Sequence, residues 1–142
     1  MTSAKETVPV VAIINSNDDV VEMLRLAFEH AGFVVVSAHS DRIRRGETSL
    51  ADLVREHRPD VFVFDLVPPY DVSYRFLEHL RQTDLLRDAK FVLTSTNPAR
   101  VRELSKTSEK IYEVLGKPYD IDEITRAVGK AWSEAGLSHQ KP

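Results

Sequence analysis

Residues 59–69 read PDVFVFDLVPP, a run of apolar side chains, Val61-Phe62-Val63-Phe64, that ends abruptly in Asp65. A continuous β-branched and aromatic stretch of this length is the pattern of a strand covered on both faces. The carboxylate that follows it is carried by a rigid element. Upstream, Val10-Val11-Ala12-Ile13-Ile14 gives the same signal, and residues 33–36, 91–93 and 111–115 repeat it. Glu113 marks the last strand as more exposed. Five strands are expected.

Between these runs the apolar period becomes helical. Val20, Met23, Leu24, Ala27, Phe28 and Ala31 share one stripe, with Asn17 to Asp19 available as caps and Gly32 as a stop. Ser49 caps a helix that turns Leu50, Leu53 and Val54 inward, and Phe76, Leu77 and Leu80 define another. Asn97-Pro98 reads as an N-cap with proline in the first turn, leading into Val101 and Leu104. Asp120 begins the last helix, with Glu123 placed as in a capping box, and Gly136 is expected to close it.

Strand–helix alternation at this spacing calls for right-handed crossovers and helices on both faces of a parallel sheet. The expected fold is α/β: a flavodoxin-like (βα)5 doubly wound parallel sheet in the order 2-1-3-4-5. One domain is expected over residues 8–136, with flexible tails at 1–7 and 137–142. Arg42 to Thr48 (RIRRGET) is a longer polar connection than this fold requires.

Composition narrows the chemistry. The 142 residues include no Cys, which excludes disulfides, thiolate metal sites and a Cys nucleophile, and suits a reducing compartment. Lys plus Arg is 19 and Asp plus Glu is 22, a formal charge of −3 with a pI near 5.9. That balance gives no overall attraction to nucleic acid. The early apolar run from Val8 to Ile14 contains Pro9 and falls far short of the ~20 residues a membrane span needs. No small-residue cleavage site follows it, so no signal peptide is expected and a cytoplasmic location is the default.

In an open parallel sheet, ligands bind outside the carboxyl ends of the strands, near the switch in strand order. Those ends carry Asn15 and Ser16 after strand 1, Asp65 after strand 3, Thr94-Ser95 after strand 4 and Lys117 after strand 5. A strand-end carboxylate can act as a nucleophile in aspartyl-phosphate chemistry. A lysine can pair with it and then with a phosphoryl oxygen, and a hydroxyl can donate to another oxygen. Singly each residue also has a plain structural use. Their convergence at one rim is the informative feature.

Over nearly its whole length the sequence resembles a response-regulator receiver domain. The resemblance rests on PDVFVFDLVPP around Asp65, with Pro69 four residues later; on FVLTS ending in Thr94-Ser95; and on VLGKPYDIDEI with Lys117-Pro118-Tyr119. NDDVVEMLRLAFEHAGFVVVSA looks like the first helix and second strand of that family. The resemblance implies that Asp65 is the phospho-acceptor, Thr94 the switch hydroxyl and Lys117 the phosphate-sensing lysine, with a Lys117–Pro118 peptide that is often cis. It implies a two-component signalling module rather than an enzyme, at most phosphorylating itself on Asp65 from a phosphodonor. Its partners would be a histidine kinase or phosphotransfer protein and a downstream target. A homodimer through the helix 4–strand 5–helix 5 face is a further option. No output domain accompanies it in these residues, so a stand-alone module is expected.

Several positions depart from the family. Receivers place adjacent acidic residues after strand 1, where they hold Mg²⁺ together with the acceptor; here Asn15 and Ser16 stand there. With Asp65 as the single anionic candidate, the Mg²⁺ site (Asp65, Asn15, Ser16) is expected to be weak or absent. Asp18 and Asp19 suit the helix N-terminus better than a metal. Val114 occupies the usual aromatic switch position, and alternation puts nearby Tyr112 on the same face at a different depth. Tyr70 and Ser73 replace frequent glycines, so the chain beside Asp65 is expected to be shaped differently.

Other chemistry finds no support. His30, His39, His57, His79 and His139 show no metal-type spacing, and no GxxxxGK[ST], GxGxxG or GxSxG loop occurs. Arg42, Arg44 and Arg45 read as a solvated loop, and Trp132 as a partly buried anchor. Three functions remain: an atypical receiver that accepts phosphate on Asp65; a receiver-like binding module that works without phosphorylation or Mg²⁺; and, least supported because no loop is built to cradle a cofactor, a flavodoxin-like enzyme that binds a small molecule.

Overall fold

The computed structural model describes residues 8–83, 86, 88–106, 108 and 111–140, the side chains of 134–140 excepted. Five strands form one sheet: β1 (Val10–Asn15), β2 (Val34–His39), β3 (Val61–Asp65), β4 (Lys90–Ser95) and β5 (Ile111–Gly116). Their order is β2-β1-β3-β4-β5 with every pair parallel, the flavodoxin-like arrangement expected. The helices are α1 (Asp18–His30), α2 (Ser40–Arg44), α3 (Leu50–His57), α4 (Tyr70–Arg81), α5 (Pro98–Ser105) and α6 (Ile121–Gln140).

The central strands β1, β3 and β4 are apolar up to their carboxyl ends because both faces are covered, Lys90 at the start of β4 excepted. One face carries Phe62, Phe64, Leu77, Phe91, Leu93 and Val101. The other carries Ile13, Leu24, Phe28, Ile124, Val128 and Ala131. Burying each large side chain is worth about 1.5–3 kcal/mol. Phe62 and Phe91, paired across β3 and β4, stack with centroids 5.1 Å apart. β5 is an edge strand and is less buried, as Glu113 indicated.

The caps follow the sequence. Asn17 accepts from the backbone N–H groups of Asp19 and Val20, Ser49 from that of Asp52, and Asn97 from that of Arg100. Asn17 alone makes the side-chain cap of α1, while Asp18 and Asp19 form its first turn and complement its dipole. Gly32 takes φ +100, which lets the chain leave α1 and enter β2. Among the described residues no helix is long and apolar enough to cross a membrane.

Three expectations are corrected. The polar connection after β2 is partly helical: His39 Nδ1 accepts from the Asp41 N–H and caps α2, which ends before Gly46 at φ +77. Gly136 does not close the last helix, which runs on to Gln140. A glycine ends a helix only when the chain turns left-handed there; inside a helix it costs about 1 kcal/mol relative to Ala. Residues 1–7 and 141–142 lie outside the described residues.

The third correction concerns β5. Its register against β4 shifts between Phe91 and Val92, which pair with Ile111 and Glu113. The irregularity falls at Tyr112 and breaks the alternation of side chains. Val114 therefore packs on the Phe62 face, whereas Tyr112 packs with the Ile124 cluster on the opposite side.

Candidate functional site

Parallel register fixes where the rim residues meet. Asp65 pairs with Thr94 across β3 and β4, and Ser95 with Gly116 across β4 and β5. Thr94 Oγ1 donates to Asp65 Oδ1 at 2.6 Å. Lys117 Nζ reaches the same oxygen at 2.7 Å. The three residues predicted to converge meet at one oxygen of Asp65, although they come from three separate strand ends.

Local features hold Lys117 in place. Its backbone N–H donates to the Ser95 carbonyl at 2.8 Å, anchoring the loop after β5 to β4. The Lys117–Pro118 peptide is cis, as is Pro68–Pro69. Gly116 is required by contact: a Cβ there would lie 2.8 Å from Pro98 Cγ at the start of α5. The Ser95 hydroxyl is committed elsewhere, accepting from the Asn97 N–H at 2.9 Å.

Electrostatically the site is a buried carboxylate facing a half-buried cation. The Asp65 side chain is 4% exposed and that of Lys117 32%. The negative charge is felt nearby: burial pushes the Tyr119 phenol above its ordinary pKa, and the Asp65 carboxylate pushes it further. Both effects disfavour phenolate.

The residues after β1 do not assemble a cation cage. Asn15 is buried, and its Oδ1 already accepts from the Asn17 N–H at 2.9 Å. Ser16 is exposed, as are Asp18 and Asp19 on the first turn of α1. Among the described residues no group of three His, Cys, Asp or Glu side chains could hold a metal. Mg²⁺ favours one or two carboxylates with waters in near-ideal octahedral geometry. A single carboxylate already engaged by a hydroxyl and an ammonium fits that cation poorly.

Two features escaped the sequence. The Tyr70 hydroxyl is hydrogen-bonded to Thr96 Oγ1, tying the start of α4 to the loop after β4 across the top of the site. The Ser73 hydroxyl donates to the Val67 carbonyl at 2.6 Å. Both Tyr70 and Ser73 stood out as replacements of small residues, which was the available signal. The basic cluster is not simply a loop, since Arg42 and Arg44 lie on α2. Arg44 pairs with Asp41 and Arg45 with Glu47, which neutralises two of its three charges locally. Trp132 is partly buried against the Ile124 cluster.

No family model matches this chain, and no curated protein matches it. Solved structures do. A signal receiver domain of a Luxo repressor protein from Vibrio parahaemolyticus superposes with TM-score 0.73 at 13% identity, covering 94% of this chain and 96% of that one. A sensor protein from Polaromonas sp. JS666 gives TM-score 0.71 at 21% identity over 89% of this chain and 98% of its own. A response regulator from Thermotoga maritima gives 0.70 at 17% identity over 89% and 99%. Over the 89–94% of its length that these structures cover, the chain has the fold of response-regulator receiver domains.

Proposed function

We propose that this chain is an atypical receiver module of a phosphorelay, with Asp65 as phospho-acceptor. The observation that carries the reading is the convergence of Thr94 Oγ1 and Lys117 Nζ on Asp65 Oδ1 at 2.6 and 2.7 Å. The carboxylate would attack the phosphorus of a phosphohistidine or a small phosphodonor in line. An O–P bond forms as the N–P or donor O–P bond breaks, and the leaving group departs with its electron pair. Lys117 stabilises the charge that develops on the transferring group, and Thr94 donates to a phosphoryl oxygen. With Asn15 and Ser16 in place of carboxylates, the neutralising role falls chiefly on Lys117.

A histidine kinase or phosphotransfer protein would supply the phosphoryl group. The output would be contact with a downstream protein, or with a second copy, through the face formed by α5, β5 and α6. Added charge beside Thr94 and Lys117 biases the loops that carry them between two arrangements.

A second reading is favoured by the weak cation site: a receiver-like binding module in which the Asp65–Lys117 pair is structural and no phosphate is accepted. Incubation with acetyl phosphate or beryllofluoride, with and without Mg²⁺, separates the two. The first predicts a phosphoryl adduct by intact mass that Asp65→Asn abolishes, together with shifted amide resonances in beryllofluoride. Absence of both at about 10 mM Mg²⁺ would leave the second.

A further inference from the structure

A cavity of about 200 Å³ opens between α2, the end of β3 and the start of α4, with Asp65 in its wall. It is distinct from the Thr94–Lys117 side of the carboxylate. Phe64, Pro68, Val72 and Phe76 make it predominantly apolar. Val72, which also lines it, is 52% exposed. The opposite wall comes from α2, the helix built from the polar connection that the fold does not require.

That wall holds an unexplained polar group. Ser40 is 9% exposed, and its hydroxyl is enclosed with no hydrogen-bond partner among the described residues. A buried hydroxyl without a partner costs about 1–3 kcal/mol, and Ser40 lines the cavity, so an occupant there is placed to supply one. Arg44 also lines the opening, but its charge is taken up by Asp41.

Size and polarity select the ligand. A cavity of ~150 Å³ admits benzene, whereas drug-sized ligands need ~300 Å³ or more. The volume here therefore suits one ring or two fused rings. The apolar walls and the Asp65 carboxylate oppose an anion, and a single hydrogen-bonding group is wanted at Ser40. We infer that the cavity beside Asp65 binds a small uncharged aromatic compound with one hydroxyl or ring N–H, of the class of phenol or indole. The inference stands apart from phosphorylation, since its test needs no phosphodonor.

The test is an amide-resonance titration of the full chain with phenol, indole and benzoate. Phenol or indole should give saturable shifts at Ser40, Val67 and Ser73 with a dissociation constant of about 1 mM or tighter. Benzoate should bind about tenfold more weakly. Val72→Trp, at an exposed position that leaves folding intact, should fill the mouth and abolish saturation. Ser40→Ala should weaken binding about fivefold. The inference is overturned by shifts that do not saturate up to about 10 mM, by binding that survives Val72→Trp, by benzoate binding equally well, or by indifference to Ser40→Ala. Ring binding without any beryllofluoride response would remove the phosphorelay reading and leave this one standing.

Discussion

Lys117 Nζ lies 2.7 Å from Asp65 Oδ1, yet the carboxylate is almost shut off from solvent while a third of the lysine side chain remains in it. The pair is therefore asymmetric. Removing the cation leaves a buried charge with little water to solvate it; removing the anion leaves a lysine that can turn outward.

Lys117→Met should destabilise the fold by about 1–3 kcal/mol. Asp65→Asn should cost less, and the double variant should be markedly more stable than the sum of the single effects. Urea unfolding of the four proteins measures the coupling; simple additivity would show that the ion pair is not formed in solution.

Thr94 is buried at the centre of the rim. Thr94→Val keeps its shape but withdraws the donor held 2.6 Å from Asp65 Oδ1. A loss of about 1–2 kcal/mol is expected, with Thr94→Ser closer to the native protein. Denaturant midpoints give the comparison.

Gly116→Ala places a Cβ 2.8 Å from Pro98 Cγ. The start of α5 and the loop bearing Lys117 must then separate, at about 1–3 kcal/mol. Pro98→Ala should recover part of that loss in thermal melts, because it removes the atom that is struck.

Tyrosine ionisation reports the charge of Asp65. The Tyr119 phenol is raised first by burial and second by that carboxylate. Asp65→Asn should therefore lower its pKa, leaving the burial effect in place. Tyr74, a buried residue of α4, is pushed up to about 12 from 10.0, chiefly by that burial. Both phenols are raised above their unfolded value, so the stabilisation is complete below pH 10.0 and lost as pH rises through the folded value, about 12 for Tyr74. Ultraviolet titration alongside alkaline unfolding tests the sign.

Ser16→Asp should raise Mg²⁺ affinity about tenfold by adding a second carboxylate near Asp65. Calorimetry with Mg²⁺ measures it directly. Unchanged affinity would mean that Ser16, exposed at the end of β1, is not aligned with the site.

The rim was legible because strands advertise themselves locally. Val61 to Phe64 must be buried on both faces, so Asp65 has to stand at their end, and the same logic put Thr94 and Lys117 at theirs. What escaped depends on details that local period does not encode. One bulge at Tyr112 reverses which face that ring meets. A histidine cap turns a polar connection into α2. The Tyr70–Thr96 contact joins two loops that are brought together only by the sheet.

The order of apolar runs, caps and breakers by itself determined the alternating α/β architecture and the identity of the residues at its rim. These follow from burial and backbone hydrogen bonding within each segment. Tertiary structure alone decided that Thr94 and Lys117 meet on one oxygen of Asp65, that Asn15 turns to Asn17, and that a cavity lies behind the carboxylate. Ångström-scale distances between separate strand ends arise from register and packing, which no single segment contains.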